Sequence, residues 1–363
     1  MQIIEFNKKD YSSWNELCQA SKSAWFRHTS WFLMYTKHSS FKLDKKNLSF
    51  AVLDDSNKLV AVVPLIAQPI YNEPELWEFS MEGTPIPFPA LDELTEKDGK
   101  KVLKFIFQEI DRLAEEHDIS AAHFFVDPLS EVVLNGSLRY NPFLKFGYHN
   151  TSLTTNIVGL NKSEEDLLKQ CAKGHRTDII YAEQQGYIVD IFDHSNITKE
   201  IFSVYKYLHF LAAGKKTRPD ESWDDMFDWI QNNFGILALI RTAKDKDYIS
   251  GLLTIVYKGK SYYGSGANDP AQDKIRGLGH LLQLETMKYL KQHGCTHYET
   301  GWNMYPIISD KVFTLKEVSI GHFKSLFGGE ILPLFRGKKF FDPDYFKKKS
   351  DNLTKEFIDL YYN

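Results

Sequence analysis

Hydrophobic positions along the chain follow two periods. Val102, Leu103, Ile106, Ile110 and Leu113 recur at helical spacing, and His117-Asp118 closes that stretch. The runs 48–53 and 59–66 are β-like, and the polar residues 54–58 between them signal a hairpin. Residues 12–38, rich in Trp and Phe, predict a helix in two pieces, and 121–126 a buried strand. Gly83-Thr84-Pro85-Ile86-Pro87-Phe88-Pro89 places prolines at alternate positions and so predicts an extended, preformed loop. A polar, turn-rich stretch fills 127–148.

The same alternation then starts again. A strand is predicted at 154–160. Ser163 is a helix N-cap with Glu164, Glu165 and Asp166 in the first turn, and that helix runs to Gln185 and stops at Gly186. A strand at 187–192, an aromatic helix at 198–213 and a helix at 223–232 follow. The runs 236–241, 249–257 and 261–266 read as a meander, then come a helix at 278–293 and a strand at 297–301. Each half shows helices, a hairpin, a long helix and a strand, without a sequence repeat of fixed period. The pattern predicts an α/β (α+β) protein with domains at 1–150 and 151–340 and a tail at 341–363.

At 363 residues the chain is long enough for two cores. A net charge of −4 gives no general attraction to nucleic acid or anionic membrane, so DNA is not an expected partner. Cys18, Cys171 and Cys295 are isolated, and the histidines form no ligand pair, so neither a disulfide framework nor a metal site is expected. No stretch is apolar for long enough to span a bilayer, and Met1-Gln2-Ile3-Ile4-Glu5-Phe6 is no signal peptide. A cytoplasmic location is expected.

The chemistry concentrates in one segment. The run Tyr262-Tyr263-Gly264-Ser265-Gly266 is β-like. A polar loop follows, and Lys274-Ile275-Arg276-Gly277-Leu278-Gly279 then opens an apolar helix. Unpaired N–H groups at a helix start, with Lys274 and Arg276 beside them, suit an anion, and a pyrophosphate above all. Lys215, Lys216 and Arg218 form one basic loop. Arg336, Lys338 and Lys339, among Phe335, Phe340 and Phe341, form another that could grip RNA or simply be solvated. His123 and His209 read as satisfied core histidines.

The Lys-x-x-Gly-x-Gly spacing resembles the coenzyme A loop of the GNAT acyltransferase superfamily. Further elements are Arg27-His28-Thr29-Ser30-Trp31-Phe32, the Gly83–Pro87 loop, His175-Arg176 with Gln185-Gly186-Tyr187, Tyr298-Glu299-Thr300-Gly301, and Phe323-Lys324-Ser325-Leu326-Phe327-Gly328. Together they resemble the FemAB-like branch, which has two GNAT-type domains in tandem, each a mixed, mostly antiparallel sheet flanked by helices. The resemblance implies an N-acyltransferase acting on a primary amine of a phosphate-bearing cell-envelope precursor, an amino sugar or a peptide. The acyl donor would be an acyl-CoA thioester, a co-substrate rather than a resident cofactor. Aminoacyl-tRNA is the alternative, and a non-catalytic binding module a third reading. The resemblance implies that Lys274, Arg276, Gly277, Leu278 and Gly279 hold the donor. Two splayed strands admit its arm, Lys324 stabilises developing negative charge, and Glu299 takes the amine's proton. Tyr305, Asp269 and His280 compete for the acid–base role. Arg176, with Lys37, Arg27 and His28, would bind the acceptor's phosphate.

Overall fold

The computed structural model describes residues 1–5, 11–40, 44–243, 247–272, 275–308 and 310–362. The chain forms two compact units. The first comprises Met1–Thr154, Met304–Ser319 and Leu332–Asn363, and the second Thr155–Asn303 and Ile320–Ile331. The first boundary lies close to residue 150, but residues 304–319 and 332–340 fold with the first unit, not the second. The tail expected at 341–363 also belongs to the first unit.

In chain order the first unit opens with β1 (Gln2–Glu5), α1 (Tyr11–Ala20), α2 (Ser30–His38), β2 (Lys46–Asn47), β3 (Phe50–Leu53) and β4 (Leu59–Val63). It continues with β5 (Ile66–Ile70), β6 (Glu73–Phe79), β7 (Ile86–Pro87), β8 (Ala90–Leu91), α3 (Glu96–Glu116), β9 (Ile119–Phe125), α4 (Glu131–Leu134) and β10 (His149–Asn150). Then come β11 (Leu153–Gly159), α5 (Glu164–Gln170), α6 (Lys173–Gln184), β12 (Ile188–Phe192), α7 (Lys199–Ala213), α8 (Asp220–Gln231), β13 (Gly235–Arg241) and β14 (Tyr248–Tyr257). The chain ends with β15 (Lys260–Asn268), α9 (Leu278–Gln292), β16 (His297–Asn303), β17 (Ile307–Ile308), β18 (Lys311–Val312), α10 (Leu315–Ser325), β19 (Glu330–Leu334), β20 (Arg336–Phe340) and α11 (Pro343–Tyr362).

In the first unit a four-stranded sheet has the order β1-β3-β4-β8, and a larger one the order β10-β20-β9-β6-β5-β2. The Thr95 side chain caps α3 by accepting from Asp98 N–H, and Glu96 and Asp98 favour the positive end of the helix dipole. Its apolar stripe buries Val102, Ile106, Phe107 and Ile110 in the core. There Phe107 stacks on Phe146 at 4.0 Å and meets Phe124 and Phe143 edge to face. The strand β6 escaped the sequence reading, because Glu73, Glu75 and Glu78 interrupt its apolar pattern. Arg27, expected at an acceptor site, is 9% exposed, with Nη1 2.7 Å from the fully buried Asp127 carboxylate. His28 is buried too, its Nε2 2.7 Å from the Phe88 carbonyl. Lys37 lies exposed in the last turn of α2.

The basic segment 336–339 is not a loop. It forms the strand β20, between β10 and β9, and Arg336 and Lys338 are buried. Phe340 lies in the same strand, Phe335 is buried, and Lys339 pairs with Asp111, so this segment is not a solvated basic run. Residues 343–362, expected as tail, form a helix, with Lys348 and Lys349 paired to Glu73.

In the second unit the sheet order is β12-β13-β14-β15-β16-β11-β19. The helix expected to run from 163 to 185 is two helices. Cys171 has extended backbone, and the Arg176 guanidinium donates to the Lys169 and Cys171 carbonyls at the break. The helix α9 connects β15 to its parallel neighbour β16 and buries Leu281, Leu282, Leu284 and Met287.

Candidate active site

The second unit's sheet is built to part. β15 and β16 pair at Lys260–His297, Ser261–Tyr298 and Tyr262–Glu299, and no further. Beyond that point β15 stays with β14 as far as Asn268, and β16 runs on to Asn303. A bulge in the β14–β15 pairing falls at Gly264, where an added Cβ would lie 3.0 Å from the Leu253 carbonyl oxygen. The bulge deflects β15 at the point of divergence. The expected fork is therefore present.

Lys324 occupies the apex of the fork. It lies near the end of α10. Its Nζ sits 4.3 Å from the Tyr263 ring centroid on one strand. On the other strand Gly301 has φ +126°, a backbone angle that favours glycine, and a Cβ there would lie 3.0 Å from Nζ. Burial lowers the Lys324 pKa to about 8, and the nearby Glu299 carboxylate opposes that shift. Glu299 is fully buried, and its Oε1 accepts from Thr155 Oγ1 at 2.7 Å. Burial also raises the Tyr263 pKa, to about 12, so the ring stays neutral beneath the cation.

The glycine loop sorts its residues into different tasks. Gly277 has φ +86° and starts α9 without a side-chain cap. A Cβ there would lie 2.4 Å from the Asp178 carbonyl oxygen, so Gly277 lets α9 approach α6. The side chain of Leu278 is buried, which leaves its backbone N–H as its contribution. Gly279 meets nothing closer than Phe323, at 3.8 Å. It lines a pocket of about 150 Å³ that also touches Tyr263, Gly266, Asn268 and Gln283. Gly277→Ala should cost about 1–3 kcal/mol of stability by overpacking, and Gly279→Ala almost nothing; urea unfolding of the two variants checks this.

Arg276 is not a free phosphate ligand. Its Nε lies 2.5 Å from Asp178 Oδ1, and the guanidinium covers the Tyr181 ring. The second Asp178 oxygen is 3.5 Å from His280 Nε2. A carboxylate beside the start of α9 opposes a pyrophosphate there. Burial, aided by the neighbouring His175, lowers the His280 pKa to about 4, so the imidazole is neutral near pH 7. Lys274 lies outside the described residues. Arg176, expected to bind an acceptor phosphate, instead caps the end of α5 through Nη1. Asp269 accepts from Ala271 N–H in a local turn. Tyr305 belongs to the first unit, 48% exposed, its hydroxyl 3.1 Å from Thr154 Oγ1. The sequence reading missed Tyr263, Thr155 and Asp178. The glycine pattern 264–266 and Thr300-Gly301 were the available signals for the first. Nothing local marks the other two.

No protein-family model and no curated protein matches the chain. Solved structures do match it. FemX aligns at 14% identity over 96% of this chain and 99% of its own, with a TM-score of 0.62. The C-terminal domain of a putative lysylphosphatidylglycerol synthetase from Agrobacterium fabrum aligns at 12% identity over 97% and 96%, with a TM-score of 0.56. A tandem GNAT protein from the clavulanic acid biosynthesis pathway aligns at 11% identity over 94% and 99%, with a TM-score of 0.52. With a sheet that parts around Lys324 and neighbours of this architecture along nearly its whole length, the chain shares the FemAB-like fold of FemX and of the tandem GNAT protein.

Proposed function

We propose that this protein transfers an acyl group from an activated donor to a primary amine, with the reacting carbonyl held in the β15–β16 fork. The observation that carries this reading is Lys324, a largely buried ammonium seated between Tyr263 and Gly301 where the strands separate. A cation there stabilises the oxyanion formed when the amine attacks, in a place where charge is weakly screened. Glu299, held by Thr155, takes the amine's proton directly or through water. The acceptor proposed with it is a phosphate-bearing amine of the cell envelope. Arg176 and Arg27 lend it no support, since both guanidiniums already serve internal contacts.

Two donor classes fit. The pocket between Gly279 and Tyr263 suits the arm of an acyl-CoA thioester. Aminoacyl-tRNA is favoured by Asp178, which neutralises Arg276 beside the helix start, and by Lys324 filling the fork that a thioester arm would otherwise enter. Thermal stability with acetyl-CoA, and with tRNA at low and high salt, separates them. A ligand present at ~100 times its dissociation constant adds about 2.7 kcal/mol. A salt-insensitive shift with acetyl-CoA supports the thioester; salt-sensitive binding of tRNA supports the aminoacyl donor. Absence of both, together with no acyl transfer to amines from either donor, sinks the proposal.

A further inference from the structure

A second site lies wholly within the first unit, under the C-terminal helix α11. Cross-strand pairing sets His149 opposite Lys338, and Lys338 opposite His123, on one face of the larger sheet. The row continues to Glu78, whose Oε2 is 3.2 Å from His123 Nε2, and through Ser80 to Gln68. A polar ladder therefore crosses the sheet where an apolar face would be expected beneath a helix. Such a ladder is costly unless each charge has a partner.

At one end it opens into a pocket of about 230 Å³, lined by Lys338, Asp310, His149, Phe340, Phe346 and Leu353 among others. Lys338 is only 7% exposed. Among the described residues its ammonium has no hydrogen-bond or ion-pair partner; its contact is the Phe340 ring, 4.9 Å away. Burial depresses its pKa, while Asp310 and Glu78 favour the charge from a distance. Asp310 supplies the opposite charge. One of its oxygens, Oδ2, lies 3.7 Å from Arg336 Nη2. The other, Oδ1, is buried and has no hydrogen-bond partner among the described residues. The pocket is thus lined by an ammonium and a carboxylate with no ion pair between them among the described residues, by a second ammonium, Lys349, that pairs with Glu73, and by aromatic, aliphatic and small polar side chains.

We infer that this pocket binds a small zwitterion, an α-amino acid with an apolar side chain. The ligand's carboxylate accepts from Lys338, its ammonium donates to the Asp310 carboxylate, and its side chain packs on Phe346 and Leu353. A lone anion would satisfy Lys338 and leave Asp310 repelled; a lone amine would do the reverse. The size agrees, since pockets for larger ligands run from about 300 to 1,000 Å³. The site rests on the first unit alone and does not depend on the transferase reading.

Calorimetric titration of the full chain with the common L-amino acids tests it, with 4-methylpentanoate and 3-methylbutylamine as the single-charge analogues of leucine and inorganic phosphate as a further probe. Saturable binding of an apolar amino acid, with both analogues at least tenfold weaker than leucine, is expected. Lys338→Met and Asp310→Asn should each weaken binding at least tenfold. Leu353→Trp, which leaves both charges in place, should block the pocket. No binding of any apolar amino acid, equal binding of an analogue, binding of phosphate alone, or unchanged affinity in folded Lys338→Met or Leu353→Trp protein would overturn the assignment.

Discussion

Replacing Lys324 with methionine is expected to slow acyl transfer about 100-fold while leaving donor binding nearly intact, because a charge that meets only the oxyanion contributes to the transition state and not to the ground state. Methionine keeps the length and much of the volume, so the seat against Gly301 stays filled. The pH profile gives an independent reading. With a pKa of about 8, Lys324 is an ammonium below that pH and a neutral amine above it. If the ammonium is the working form, the wild-type rate falls as pH rises past about 8, and the Met variant loses that limb. A rate that instead climbs through this range would make Lys324 a base. An unchanged rate in the variant would remove it from the chemistry.

The largest loss of stability is expected at Arg27. Truncation to alanine leaves the Asp127 carboxylate, fully buried, without its guanidinium, and also removes the cation from the faces of Trp25 and Phe125. Breaking one side of such a pair costs about 3–5 kcal/mol. Urea unfolding should show the midpoint falling accordingly, and a double change, Arg27→Met with Asp127→Leu, should recover much of it. Lys37→Ala, on the exposed end of α2, should stay within about 0.5 kcal/mol. A shift below about 1 kcal/mol for Arg27→Ala would mean that water reaches Asp127.

The contrast between these two basic residues shows where sequence reading reaches its limit. Arg27, Lys37 and Arg176 look alike in sequence, as cations suited to phosphate. The partners that decide their roles are Asp127, solvent and the Lys169 carbonyl, and the first of these is 100 residues away in the chain. The fork was readable because its causes are local: β-rich runs, small residues at 264–266, and a glycine at the start of an apolar helix. Glu299 and Lys324, the residues proposed for the chemistry, lie in compact motifs. What sits between them does not. Tyr263 beneath the ammonium and Thr155 on the carboxylate come together only when β11, β15, β16 and α10 do. Likewise 336–339 reads as a basic loop, since cations beside aromatics on a largely buried strand look the same as a solvated patch until the helix lying over it is known.

The position of β20 bears on how the chain is made. This strand comes from residues 336–340, yet it sits between β10 and β9 in the first unit's sheet. During synthesis the first 150 residues leave the ribosome long before it exists. At a few residues per second the β9 edge waits on the order of ten seconds or more for its partner. Throughout that interval Ile119–Phe125, every residue of which is buried in the finished fold, has an unpaired and largely apolar edge. A fragment ending before Arg336 would be expected to associate with copies of itself along that edge, however well its own helices form.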